Sequence, residues 1–318
     1  MNNVLVTGGA GFIGSHLCEK LLKAGYTVTC LDNFNNCYLP SIKRDNLLNC
    51  CRHCCYKLVE GNILDCTLLS DLFSSCSFDA VIHLAALAGV RSSIDNAADY
   101  VDVDVKGTVN LLEECRKHSI KKFIFASSSS VYGSGADIFK EDMAADSQVS
   151  PYAAAKRCGE LFCRAYNSLY GIPVACLRFF TVYGPRQRPD MAIHIFTKAI
   201  FEGTEINVYG DGTSCRDYTY IDDITDGILA AMCLPCSFEI FNLGSSEPVN
   251  IKALINVIEK KASRSARINY LPKQPGDVPH TLADISKAED ILDYHPHTKL
   301  DEGIDQFIQW YRHNSPVK

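Results

Sequence analysis

No apolar run in the 318-residue sequence approaches the roughly 18 residues that a membrane span needs, because Asp79, His83 and Arg91 interrupt the longest candidate. Basic charge is not in excess either. The 31 lysines and arginines stand against 37 acidic residues, a net charge of −6, which excludes the basic footprint of a nucleic-acid binder. The N-terminus lacks a charged segment ahead of its apolar stretch, and glycines followed by Glu19 and Lys20 break that stretch, unlike a secretory signal. Internal repeats and low-complexity tracts are also missing. The expectation is a cytoplasmic protein with no nucleic-acid and no membrane partner.

What is present is ordinary globular composition, 47% hydrophobic and 21% charged, in a chain long enough for a large core beside a smaller lobe. The sixteen cysteines are the oddity. They are scattered through helix and strand patterns, which suits reduced thiols used as small apolar residues. Cys51 with Cys54, and Cys233 with Cys236, have the spacing of zinc-binding pairs, the alternative reading. Neither pair has a partner pair near it in sequence, and the second closes a helical segment whose negative end disfavours a thiolate. No metal is expected.

The first 130 or so residues alternate strand and helix. Residues 3–7 form a buried-strand run, 12–24 have helical spacing, and Gly25 precedes a second strand over 26–31. Further apolar runs follow at 57–59, 80–84, 122–125 and 174–177. Such alternation predicts an α/β fold with a doubly wound, mostly parallel sheet. Ser150 and Pro151 are an N-cap and a first-turn proline for a helix running to Tyr170, which Gly171 and Pro173 stop. After Thr181 the regularity weakens, with loop-rich stretches at 185–190, 210–214 and 271–279. The expected division is a nucleotide-binding domain over 1–180, to which later segments return, and a substrate lobe mainly over 181–318.

Gly8, Gly11 and Gly14 lie between the first strand and its helix, where one glycine makes the tight turn, one admits a pyrophosphate and one lets helix pack on strand. Asp32 ends the second strand, 18 residues after Gly14. A carboxylate there accepts from both ribose hydroxyls and repels the 2′-phosphate of NADP, so the cofactor expected is NAD. Its alternative role is a turn residue ahead of Asn33. Asn62 and Ile63 after the third strand, and Leu84, Ala85 and Ala86 after the fourth, fall at the sheet edge where adenine and nicotinamide ribose lie.

Tyr152 and Lys156, four apart, share one helix face. An ammonium beside a phenol lowers the phenol's pKa and makes it a usable base. The serine block 127–130, at the end of a strand, offers hydroxyls to the same substrate oxygen. These three functions and a nicotinamide are what hydride chemistry at a carbinol carbon needs.

With these residues in view the sequence resembles the extended short-chain dehydrogenase/reductase family, and within it the NAD-dependent nucleotide-sugar epimerases. The resemblance runs through GGAGFIGSHL (8–17), LDNF (31–34), HLAA (83–86), ASSSSVYG (126–133), YAAAK (152–156), LRFFTVYGPRQRPDMA (177–192), RDYTYIDD (216–223) and PGDVPHTLADISKA (275–288). It is most specific to UDP-glucuronate 4-epimerases at 181–191. By that resemblance Ser128, Tyr152 and Lys156 are catalytic, and a UDP-sugar, UDP-glucuronate before others, is inverted at C4 through a 4-keto intermediate. The cofactor contacts implied add Phe12, Ile13, Asn33, Asn36, Tyr152 and Lys156 to those above. A 4-keto uronate is a β-keto acid whose carboxylate must be held away from the decarboxylating geometry, for which Ser129, Ser130 and Thr181 are the hydroxyl candidates and Arg188 either a charge partner or a solvated residue. Arg91, Tyr209, Arg216 and Asp277 complete the implied substrate contacts. A homodimer through the helices around 104–117 and 151–169 is a further family expectation.

Related 4,6-dehydratases carry Thr-Asp-Glu in the serine block and UDP-glucuronate decarboxylases a glutamate, where this sequence has Ser129 and Ser130. A lyase therefore ranks below an epimerase. UDP-galactose 4-epimerases carry asparagine at Thr181, so a neutral UDP-sugar (UDP-glucose, UDP-N-acetylglucosamine) is the runner-up substrate, and a silent NAD-sensing relative is the reading from another class. Three positions depart from the family: Asp104 replaces a structural asparagine, Asn62 an aspartate at the adenine, and Gln274 a phosphate-binding arginine.

Overall fold

The computed structural model describes residues 2–135, 137–272 and 280–314. It opens with β1 (Asn3–Thr7), α1 (Phe12–Lys23) and β2 (Thr27–Asp32), the predicted unit with boundaries shifted by about a residue. β1 is buried after Asn3 and β2 after Thr27. Neither alternates buried with exposed positions, because a parallel strand covered by helices on both faces has no wet side. α1 buries Phe12, Leu17, Cys18, Leu21 and Leu22 and carries Lys20 and Lys23 at its negative end.

The chain continues through α2 (Pro40–Asn46), a tight turn (Cys50–Arg52), β3 (Tyr56–Glu60), α3 (Cys66–Ser75), β4 (Ala80–His83), α4 (Val90–Asp95) and α5 (Ala97–Tyr100). A widened π turn (Val101–Lys106) leads into α6 (Gly107–Lys117), followed by β5 (Lys122–Ser128), a 3-10 turn (Ser129–Tyr132), α7 (Pro151–Tyr170) and β6 (Val174–Phe179). α7 has the ends its sequence predicts: the Ser150 side chain accepts from the Ala153 N–H, and Gly171 takes the left-handed conformation at φ +70°.

Beyond β6 come β7 (Thr181–Tyr183), α8 (Ala192–Glu202), β8 (Glu205–Tyr209), β9 (Cys215–Tyr220), α9 (Ile221–Cys233) and β10 (Phe238–Leu243). β11 (Pro248–Asn250), α10 (Ile251–Ala262), β12 (Arg267–Leu271), α11 (Ser286–Leu292) and α12 (Leu300–Asn314) complete the described chain. This half is more regular than its sequence suggests. The loops at 185–190 and 210–214 are present, but α10 buries Leu254, Ile255 and Ile258, and α12 buries Ile304, Phe307 and Ile308, at helical spacing that the surrounding glycines and prolines mask.

The main sheet is parallel throughout, in the order β10-β6-β5-β4-β1-β2-β3. It is the doubly wound sheet expected, with β10 returning from the second half to flank β6. Strand order reverses between β1 and β4, which opens a crevice at their carboxyl ends. Thr7 is opposite both Leu31 and His83, so the next residues along, Gly8, Asp32 and Leu84, converge there. Two smaller sheets among the described residues, β11-β9-β7 and β12-β8, stand beside it.

Cys18, Cys30, Cys50, Cys115, Cys163 and Cys176 are core residues, as the apolar reading expects, but Cys37, Cys51, Cys54, Cys66 and Cys233 are exposed, and all are free thiols. No helix among the described residues is long and apolar enough to cross a membrane.

Candidate active site

The crevice holds a cleft lined by the glycine turn, by Asp32 and Asn33, by Asn62 and Ile63, and by Leu84, Ala85 and Ala86. The turn is packed without slack. Gly8 has φ +71°, and a Cβ there would lie 2.6 Å from the Ala85 backbone nitrogen; one on Gly14 would lie 2.2 Å from the Gly8 carbonyl oxygen. Gly14→Ala is therefore expected to push the turn apart, costing about 1–3 kcal/mol. Thermal melts with and without NAD check this: a lower melting point and a lost NAD-dependent rise are expected, and an unchanged response to NAD contradicts the role given to the turn.

Asp32 is buried, with Oδ2 accepting from the Ala10 N–H at 3.0 Å and Oδ1 from the Phe34 N–H at 2.9 Å. It is thus the turn residue of the alternative reading and also an acceptor on the cleft wall. Asn36 differs from expectation: it is exposed and does not line the cleft, whereas Asn35 does. The loop between β2 and α2 has no periodicity from which sequence could decide between neighbours. Lys43, which sequence reasoning missed, lines the cleft from α2 and donates to the Asn35 carbonyl at 2.9 Å.

His83 braces the crevice from beneath. Its Nδ1 is 2.8 Å from Thr7 Oγ1 and its Nε2 is 3.0 Å from Thr108 Oγ1, while Thr108 donates its hydroxyl proton to the Asp104 carbonyl at 2.6 Å. Thr108 can only accept from the ring, so Nε2 carries the proton and Nδ1 accepts from Thr7. Burial, with Lys156 nearby, takes the His83 pKa down to about 3, and the imidazole stays neutral.

Ser128, Tyr152 and Lys156 line the same cleft. The Ser130 N–H donates to Ser128 Oγ at 3.2 Å, fixing that hydroxyl at the end of β5. Lys156 Nζ lies 6.0 Å from the Tyr152 ring centre and 5.4 Å from that of Phe125. Burial pushes the Tyr152 phenol up, against a hydrogen bond from Ser128 and the charge of Arg188, and Asp104 adds to the rise. Burial likewise lowers Lys156, against the pull of Asp104. The lowered phenol expected from sequence is not what the protein has: burial and the Asp104 carboxylate leave it above its ordinary value, against Ser128 and Arg188.

Ser129, Ser130, Thr181 and Arg188 also face the cleft. The Arg188 guanidinium donates to the Ala88 carbonyl at 2.8 Å and to Asp190 Oδ1 at 3.0 Å, so it is oriented by the protein. Of the other expected substrate residues, Arg91, Tyr209 and Arg216 are not on this lining. Arg91 instead sits over the Tyr209 ring, 4.6 Å from its centre, and Arg216 donates to the Cys215 carbonyl at 2.8 Å. A loop-borne contact is decided by the path of the loop, which the residue type does not reveal. Asp277 and Gln274 lie outside the described residues. For metals, the side chains brought together are His53, Cys54 and Cys55, one ligand atom each within 4.8 Å, not the spaced cysteine pairs. Cys236 Sγ instead receives Lys122 Nζ at 2.8 Å.

A switch-point cleft with a phosphate turn at one end and hydroxyl, phenol and ammonium on its far wall belongs to the dinucleotide-dependent enzymes that move hydride at a carbinol carbon. The chain is a member of the NAD dependent epimerase/dehydratase family, whose profile matches residues 4–244. A UDP-glucuronate 4-epimerase of Thermodesulfobacterium geofontis is 42% identical over 315 residues, 99% of this chain and 97% of that protein. The UDP-glucuronic acid 4-epimerase of Bacillus cereus, solved with UDP-glucuronic acid and NAD, superposes with a TM-score of 0.93 at 39% identity, over 98% of this chain and 99% of that one. A UDP-glucose 4-epimerase of Thermotoga maritima, solved with UDP-glucose, gives 0.89 at 32% identity over 98% and 99%. The cofactor is NAD, and the residues fit it: Gly8, Gly11 and Gly14 line the cleft without a side chain, and buried Asp32 is an acceptor that repels a 2′-phosphate.

Proposed function

We propose that the protein inverts C4 of UDP-glucuronate to give UDP-galacturonate. The observation that carries this reading is the charge of the cleft wall. Among the described residues lining it, Asp32 at the cofactor end is the lone carboxylate, while Ser129, Ser130, Thr181 and Arg188 face the substrate end. A uronate carboxylate finds hydroxyl donors and a guanidinium there, and no acid is present to drive elimination across C5 and C6.

Tyr152 takes the O4 proton, with Ser128 hydrogen-bonded to the same oxygen and Lys156 stabilising the phenolate. NAD, when bound, supplies the hydride store that makes oxidation and reduction at C4 one redox-neutral cycle. The 4-keto uronate is a β-keto acid that loses CO₂ readily, so Ser129, Ser130, Thr181 and Arg188 hold the carboxylate out of the decarboxylating alignment. The ketone turns over in the pocket, and Tyr152 returns its proton as C4 is reduced from the opposite face.

The test is incubation of the purified protein with UDP-glucuronate, followed by NMR for the C4 epimer. Release of CO₂ with a UDP-pentose overturns the carboxylate argument, and turnover of UDP-glucose alone replaces the uronate with the neutral sugar. The reading includes a homodimer in the cytoplasm. Leu161, Phe162 and Leu169 are exposed on α7, an apolar face suited to a second copy, and free thiols suit a reducing compartment. Sedimentation as a monomer at micromolar concentration overturns the dimer.

A further inference from the structure

Asp104 projects from the π turn between α5 and α6, only 1% exposed. Its Oδ1 accepts from the Leu87 N–H at 2.7 Å, whereas Oδ2 is buried without a hydrogen-bond partner and lies 3.9 Å from Lys156 Nζ. Lys156 is itself 4% exposed. A buried charge persists only when paired, and each of these groups is the opposite charge in reach of the other. The remaining titratable groups around them do not replace that pairing. His83 on β4 is neutral and gives its proton to Thr108. Tyr100 on α5 packs edge-on to Tyr152 at 6.1 Å, and Arg188 acts on the phenol from the loop after β7.

We propose that Asp104 is a positioning residue which, through its buried ion pair with Lys156, sets the charge that the Tyr152 phenol meets; this rests on the epimerase reading of the same cleft. The pair works in two directions. The carboxylate holds the proton on a lysine that burial would otherwise strip, and its own charge raises the Tyr152 phenol. Burial raises the Asp104 carboxyl to about 6, with Lys156 and the Leu87 N–H opposing the rise. Above that pH the phenol meets a balanced pair; below it, a net positive charge.

Asp104→Asn keeps the shape and removes the charge. Without the carboxylate, Tyr152 ionises at lower pH and Lys156 loses its proton at lower pH. Both limbs of the kcat profile are expected to move toward acid by about one pH unit, roughly a tenfold change in rate on each limb. Near and below pH 6, where the native carboxyl is protonated, the two proteins converge. A purely structural role would lower kcat alike at every pH. The second readout needs no turnover: the phenolate absorbance of Tyr152, taken as the difference from the same protein carrying Tyr152→Phe, titrates at lower pH in the variant. Asp104→Ser repeats both measurements in case the asparagine protein folds poorly. Unmoved limbs and an unmoved phenolate titration overturn the proposal. If UDP-glucuronate is not a substrate, the phenolate titration still decides it.

Discussion

Tyr152→Phe is expected to lower kcat for C4 inversion by about a thousandfold while the protein remains folded and binds NAD. The change removes one oxygen and keeps the ring that packs edge-on against Tyr100, at 6.1 Å between centres. Ser128 stays pinned by the Ser130 N–H, and the Asp104–Lys156 pair keeps its counter-charges. What is lost is the group that accepts the O4 proton as hydride leaves C4, and among the described residues no carboxylate or imidazole lines the substrate end of the cleft. Cofactor affinity from calorimetry and turnover from NMR are to be measured on one preparation. Retention of more than about a tenth of native turnover sinks the mechanism. A native protein that binds NAD but turns over no UDP-sugar is instead the silent sensor.

The start of the fold was legible almost residue by residue because each signal there is local. A strand buried on both faces favours a mostly apolar run, the glycine turn needs missing side chains, and Ser150 and Gly171 cap α7 at its two ends. The cofactor half of the cleft follows, since parallel register alone brings Gly8, Asp32 and Leu84 together. What sequence could not show depends on where distant segments meet. Asn35 and not Asn36 faces the cleft because an aperiodic loop turns that way. Arg91 finds the Tyr209 ring instead of the cleft wall. Asp104 was visible as a departure from its family, but its nearness to Lys156 needs the π turn and α7 to be packed side by side.

Glu160 was invisible for the same reason, and it carries the largest expected effect on stability. One helical turn beyond Lys156 on α7, it receives Arg178 of β6 through two bonds of 2.8 Å, Ser127 Oγ at 2.6 Å and Arg157 Nη1 at 2.8 Å. Burial alone pushes its carboxyl up, but Arg178, with Ser127 and Arg157, outweighs burial and holds it below the ordinary range. Glu160→Ala leaves the Arg178 guanidinium, 1% exposed, without its counter-charge and is expected to cost about 3–5 kcal/mol in denaturant unfolding. The sign of the pH dependence follows from the depressed carboxyl: its contribution is fully present above the pKa of an unfolded glutamate and is lost as pH falls through the folded value. The gap between native protein and variant therefore closes in acid, and a gap constant with pH overturns the ionic account. Because Ser127 precedes Ser128 at the end of β5, the same substitution frees the strand end that aims the Ser128 hydroxyl, so turnover falls together with stability. Glu160→Gln, which keeps the shape and can still accept the Ser127 bond, separates the two: turnover is expected to recover toward native while the acid dependence of stability remains lost.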